Sequence, residues 1–160
     1  MNEHTSRGSW ITNHLANPVL EAVLRSAAGR RVGQHLAVLC YPGRRTGRQH
    51  ELVVQYARDH QQVWVVPGQP DRKTWWRNLR EPCAIEVRLA GHDYHGLAVA
   101  LDGRERPDDV QHGLTVYLDE LPRAGKALGI HADAGTDRGT DLADAAKSAV
   151  IVRIDLDNDA

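Results

Sequence analysis

The chain has 160 residues, 41% hydrophobic and 26% charged, which is the size and balance of one globular domain and excludes both two full cores and a disordered tail. Lys and Arg together number 20 against 21 Asp and Glu, a formal charge of -1 that excludes the general basicity of a nucleic-acid coat but leaves room for local patches. With no Phe and only four Trp and four Tyr, the core must be built from Val, Leu, Ile and Ala.

In chain order, Asn17-Pro18 pairs an N-cap side chain with the residue best suited to the first helical position, and Val19, Leu20, Val23, Leu24 and Ala27 repeat at helical spacing. The expected helix covers 18–31, with Arg30 and Arg31 complementing the negative end of its dipole. The period then changes. An apolar run over 35–41 closes at Pro42-Gly43, a second strand is expected over 51–57, and Val63-Trp64-Val65-Val66 makes a third. Residues 73–80 read as a short helix stopped by Pro82, with Trp75 and Leu79 sharing a face at a spacing of four. Alternation over 84–89 marks a half-exposed strand, and 94–101 a fifth. Pro107-Asp108-Asp109 opens a helix to about Leu121, with an apolar stripe of Leu114, Tyr117, Leu118 and Leu121. Residues 129–141, rich in Gly and Asp, read as a flexible loop loosened by Gly125 and Gly129, and 149–154 as a sixth strand.

Short consecutive strands with tight connections favour antiparallel pairing, since parallel strands need a crossover each time. The expected fold is therefore mainly β with flanking helices (α+β), a curled sheet or barrel of about six mostly antiparallel strands, the last filling an edge and closing it. The expected domain covers 1–160, with a flexible segment at 1–16. Cys40 and Cys83 sit in or beside apolar runs and read as buried thiols of a reducing compartment. The first nine residues are polar and no apolar run reaches the length of a membrane span, so a cytoplasmic protein without a transmembrane segment is expected.

Two segments carry chemistry. Pro42-Gly43-Arg44-Arg45-Thr46-Gly47-Arg48 is a turn with three guanidiniums and a hydroxyl held between glycines. Glycines let backbone approach an anion, and Arg forks match phosphate oxygens, so phosphate binding is the functional reading; a solvated basic hairpin tip is the plainer one. It is not a nucleotide P-loop, which ends in Gly-Lys-Ser/Thr and opens a helix. Lys73-Thr74-Trp75-Trp76-Arg77-Asn78-Leu79-Arg80 gathers two of the four tryptophans with three basic residues. One Trp plugging the barrel end, the other half exposed, is its structural reading. The histidines His92, His95, His112 and His131 lack convergent spacing, so no metal is expected.

Taken together, Asn17-Pro18-Val19-Leu20, the Gly43–Arg48 turn and the Lys73–Leu79 segment resemble the deazaflavin-dependent nitroreductase family, a branch of the split-barrel flavin and deazaflavin oxidoreductases. The resemblance spans about 17–101. It implies a split β-barrel whose groove holds the 8-hydroxy-5-deazaflavin coenzyme (coenzyme F-420), with flavin mononucleotide (FMN) the alternative. Arg44, Arg45, Thr46, Gly47 and Arg48 would lie on the phosphate, Val66, Pro67 and Gly68 beside the ring, and Trp76 and Asn78 would support the site. Lys73 and Arg77, with Arg30 and Arg31, would attract the acidic tail. The implied activity is hydride transfer to a small electron-poor molecule: a quinone, an enone or a nitro compound. A non-catalytic flavin- or ligand-binding barrel is the alternative, and monomer or homodimer both fit. The family often has a small hydroxyl residue where this chain has Pro67-Gly68, and several tyrosines after the fifth strand where it has Tyr117. That phenol is the catalytic candidate, with a packing role in the stripe as the other reading.

Overall fold

Alternating burial picks out the strands. The computed structural model describes residues 34–130 and 138–158, of which Leu36 onward belong to one compact unit. The helix expected over 18–31, with its arginines, and the segment 1–16 lie outside the described residues. The elements are β1 (Leu36–Pro42), β2 (Gln49–Gln55), β3 (Ala57–Asp59), β4 (Gln62–Val65), a 3₁₀ helix (Trp75–Leu79), β5 (Cys83–Leu89), β6 (His92–Asp102), α1 (Pro107–Glu120), α2 (Ala124–Ala127), α3 (Arg138–Ala146) and β7 (Val150–Leu156).

Every strand pair is antiparallel, and the seven strands run in the order β2-β1-β5-β6-β7-β4-β3. The two ends of that order are consecutive in sequence. The strand expected over 51–57 turns at Tyr56, so that its first part pairs with β1 and its continuation, β3, pairs with β4. Closure of the curled sheet thus belongs to the 49–59 segment, and the expectation that the last strand closes an edge is corrected. β7 lies between β6 and β4, with Ala98 opposite Ile154 on one side and Val63 opposite the same residue on the other. Its nearly unbroken apolar sequence is what an interior strand needs when both faces are covered.

Those faces belong to two cores. Val152, Ile154 and Leu156 of β7 point with Val63, Val65, Leu39, Val87 and Leu79 into the barrel. Ile151, with Trp64, Leu101, Val110 and Leu114, packs into a second layer formed by the helices. α1 starts with Pro in its first turn and Asp108 and Asp109 at its positive end, as its sequence indicates, and buries Val110, Gly113, Leu114, Tyr117 and Leu118.

Four local expectations change. The tryptophan segment is 3₁₀, and its three-residue turn aligns Trp76 with Leu79; these two are buried while Trp75 is half buried. Gly129 is not a loosening residue: at φ 72° it ends α2 in a Schellman motif, with Ile130 N donating to Gly125 O at 2.9 Å and Gly129 N to Lys126 O at 3.3 Å. The loop expected over 129–141 gives way at Arg138 to α3, which buries Leu142 and Ala146. Cys40 and Cys83 are free thiols, half buried rather than fully buried.

Gly113 shows how tightly the helix layer sits. An ideal Cβ there would stand 2.5 Å from Trp64 Cε3 and 2.7 Å from Ile151 Cδ1. In an open helix, Gly to Ala gains up to about 1 kcal/mol; overpacking a core costs roughly 1–3 kcal/mol. Gly113→Ala is therefore expected to lower the thermal midpoint, and a raised midpoint in calorimetry would show that the layer is looser than this packing.

Candidate functional site

The basic turn follows β1 and leads into β2. Gly43 N donates to Arg48 O at 2.7 Å and Gly47 N to Gly43 O at 2.8 Å, closing the loop on itself. Gly47 takes φ 67°, with open space where a Cβ would be, so its role is conformational. Thr46 Oγ1 accepts from Arg48 N at 3.2 Å, a local turn bond that fixes the hydroxyl. Arg44, Arg45, Thr46, Gly47 and Arg48 are all exposed. The Arg44 guanidinium reaches Glu81 only at 4.0 Å, and among the described residues no carboxylate pairs with Arg45 or Arg48.

What joins this turn to the rest of the site is Asn78. Its Oδ1 accepts from Arg44 N at 3.0 Å, across 34 residues of sequence, while its Nδ2 donates to Trp75 O at 3.0 Å. The two segments singled out in the sequence are thereby locked together. Trp76 extends the connection: its Nε1 donates to Pro70 O at 3.0 Å, and the guanidiniums of Arg77 and Arg80 stand 5.6 and 5.3 Å from its ring centre. Lys73 and Arg77 are exposed beside them, Lys73 N being bound to Gln69 O at 2.9 Å. Exposed guanidiniums on a hydrogen-bonded turn are able to offer charge-assisted donors to an anion.

Past β4 the chain enters Val66-Pro67-Gly68, and here a cavity of about 270 Å³ opens, lined by Val66, Pro67, Leu114, Leu128, Ala145 and Ser148 among others. Its walls come from the loop after β4, from Leu114 of α1, from the end of α2, and from Ala145 of α3 with the turn that follows it. A second cavity of about 230 Å³ shares Pro70, Ser148 and Val150 with the first and adds Trp76, Asp71, Lys147 and the Asp102/Arg104 pair. That pair is joined at 2.7 Å, and the hydrogen bond from Arg104 holds the Asp102 carboxyl below its usual range. Gly68 and Pro67 are half buried and buried; of the three residues 66–68, Val66 and Pro67 line the first cavity and Gly68 does not.

Tyr117 is 4% exposed, in the helix-layer core, and is absent from the lining of either cavity, where Leu114, one turn earlier, stands instead. Burial pushes its phenol up to about 12. His92 and His95 are both exposed on β6. Sequence reasoning missed Ala145, whose helix it did not foresee, Ser148 in the turn after that helix, and Pro70, whose carbonyl holds Trp76; the spacing of Leu142 and Ala146 was the available signal for the helix.

The curled antiparallel sheet with its helices is a split barrel, and it carries a cationic turn, a tryptophan brace and a cavity past the end of β4. The family described as F420H(2)-dependent quinone reductase matches residues 20–120. The chain belongs to that family, and it is a deazaflavin-dependent reductase. Among solved structures, one described as an F420-H2 dependent reductase (FDR-A) is 13% identical, with 78% of this chain and 95% of that chain covered and a TM-score of 0.51. Another, described as a domain-swapped dimer, is 13% identical over 76% of this chain and 80% of that one, with a TM-score of 0.52. At such identity the likeness shows the fold. No curated protein matches the chain. No described helix is long and apolar enough to cross a membrane.

Two outcomes follow for the brace and the phenol. Asn78→Ala removes two hydrogen bonds of roughly 0.5–1.5 kcal/mol each, so the midpoint should fall by a few degrees and coenzyme affinity with it; unchanged affinity by fluorescence titration would show that the turn keeps its shape unaided. For Tyr117 the raised folded value means that its contribution is complete below the unfolded phenol range near 10 and is lost as pH rises toward about 12. Tyr117→Phe should therefore flatten the alkaline limb of a stability profile, and an unaltered limb would place the loss on Tyr41 or Tyr56, whose phenols burial also pushes up.

Proposed function

We propose that the protein transfers a hydride from the reduced 8-hydroxy-5-deazaflavin coenzyme to a small, electron-poor, largely apolar acceptor, of which a quinone is the first choice and an enone or nitro compound the next. The observation that carries this reading is the bond between Arg44 N and Asn78 Oδ1, which makes the cationic turn and the tryptophan brace one surface leading toward the cavity at Val66-Pro67. The bound coenzyme supplies the hydride. The chain supplies position and field: Arg45 and Arg48, with Arg44, offer charge-assisted donors to the phosphate, and exposed Lys73 and Arg77 attract the acidic tail. Val66, Pro67 and Leu114 give the acceptor an apolar wall that orders it and thins the water around it.

The proton that completes reduction of the acceptor comes, in this reading, from solvent at the open side of the cavity. The placement of Tyr117 in the helix-layer core favours a packing role over a catalytic one. FMN remains the competing ligand, since the same turn can hold its phosphate. Titration of the deazaflavin coenzyme against FMN separates the two.

Arg45→Ala should weaken coenzyme binding by about 1.5–3 kcal/mol, the worth of a hydrogen bond to a charged group, with little change in thermal midpoint. Ala145→Phe should fill the cavity beside Val66, lowering kcat/KM for quinones while leaving coenzyme affinity near that of the parent. Equal coenzyme affinity in the first variant would remove the phosphate assignment, and undiminished quinone turnover in the second would move the acceptor elsewhere.

A further inference from the structure

His50, the second residue of β2, is placed with unusual care for an exposed side chain. It is directly opposite Tyr41 in the β1/β2 register, and its ring stacks on that phenol with centroids 5.6 Å apart and planes 27° apart. Tyr41 is itself buried and braced on its own account by Trp75, 6.3 Å away. The stack sets the edge of the imidazole over the base of the basic turn: an ideal Cβ on Gly43 would stand 2.7 Å from His50 Nε2 and 3.3 Å from Arg48 O. Gly43 is thus the residue whose missing side chain lets the imidazole lie against the loop that carries Arg44, Arg45 and Arg48.

Resting on the reading that this turn holds the coenzyme's phosphate, we infer that His50 is a further anion-binding residue, its imidazolium donating to the bound phosphate. The reason is electrostatic. A phosphate held by the turn rewards an N–H⁺ donor beside it. Of the carboxylates, Glu51 is the next residue along β2 and Glu81 stands 4.0 Å from the Arg44 guanidinium. Tyr41 and Trp75, the ring neighbours, bring no charge while the phenol, raised by burial, stays neutral.

If the imidazolium is the donor, affinity for the coenzyme falls as pH rises through the imidazole range. The test measures coenzyme dissociation constants between about pH 5.5 and 8.5 for the parent, His50→Gln and His50→Phe; the ligand's own titration is common to all three and cancels in their ratios. The ratio of variant to parent should be about tenfold at the acidic end, the worth of one charge-assisted hydrogen bond, and should approach unity at the alkaline end for both variants. His50→Phe keeps a ring to stack on Tyr41, so a merely structural role would leave its profile parental. A pH-independent ratio, or a parental profile in His50→Phe, overturns the inference. Arg45→Ala, run alongside, isolates the premise: parental affinity in that variant sinks the phosphate site itself, whereas weakened binding there with a flat His50 ratio sinks the role of His50 alone.

Discussion

Burial of β7 on both faces is the constraint from which the remaining architecture follows. A strand with Val150, Ile151, Val152, Ile154 and Leu156 all buried has to sit between neighbours and beneath a second layer, because an edge or a solvated face would leave several of these side chains wet at roughly 1.5–3 kcal/mol each. Its neighbours, β6 and β4, are thereby fixed. The helices follow, since Ile151 and Trp64 face outward from the barrel and need α1 as their cover. The first residue of the strand, Val150, lines both cavities, so the element that organises the core also sets one wall of the site.

The strands themselves were legible where one face is buried and the other is not. Ile85, Val87 and Leu89 alternate with Glu86 and Arg88, and β5 forms where that pattern lies. β7 was legible as a strand but not in its position: its arrival after a long helical insertion suggested an edge, whereas consecutive apolar residues, the stronger physical signal, demand cover on both sides. α3 escaped notice because Gly, Asp and Ala dilute its pattern to Leu142 and Ala146, a single pair four apart. The 3₁₀ geometry of the tryptophan segment was also hidden, since spacings of three and four are both compatible with a short apolar cluster.

The candidate site was legible in its parts and not in their joint. Three guanidiniums between glycines indicate an anion from residue chemistry alone, and paired tryptophans with Asn78 indicate a brace. That Asn78 binds the backbone of Arg44 depends on how the barrel brings the two loops together, and no local pattern encodes a bond across that distance. Pro70 and Ser148 belong to the same kind of information. They are unremarkable in sequence and become wall residues only when the loop after β4 and the turn after α3 converge on Val150.

This division has a consequence for how the site can vary. The half proposed to hold the anion is built from short-range features: a self-closed turn, a glycine at positive φ and a ring stacked across one strand pair. Such features constrain the residues that form them, so under that proposal coenzyme recognition is tied to a few positions. The cavity proposed for the acceptor is walled by loops and helix ends, with Leu128 and Ala145 offering it apolar side chains. Side chains of that kind can be exchanged with a cost set by volume rather than by lost hydrogen bonds. The α2 to α3 region can therefore reshape the acceptor cavity without disturbing the turn, because Asn78, the joint between turn and brace, makes both of its hydrogen bonds away from those helices.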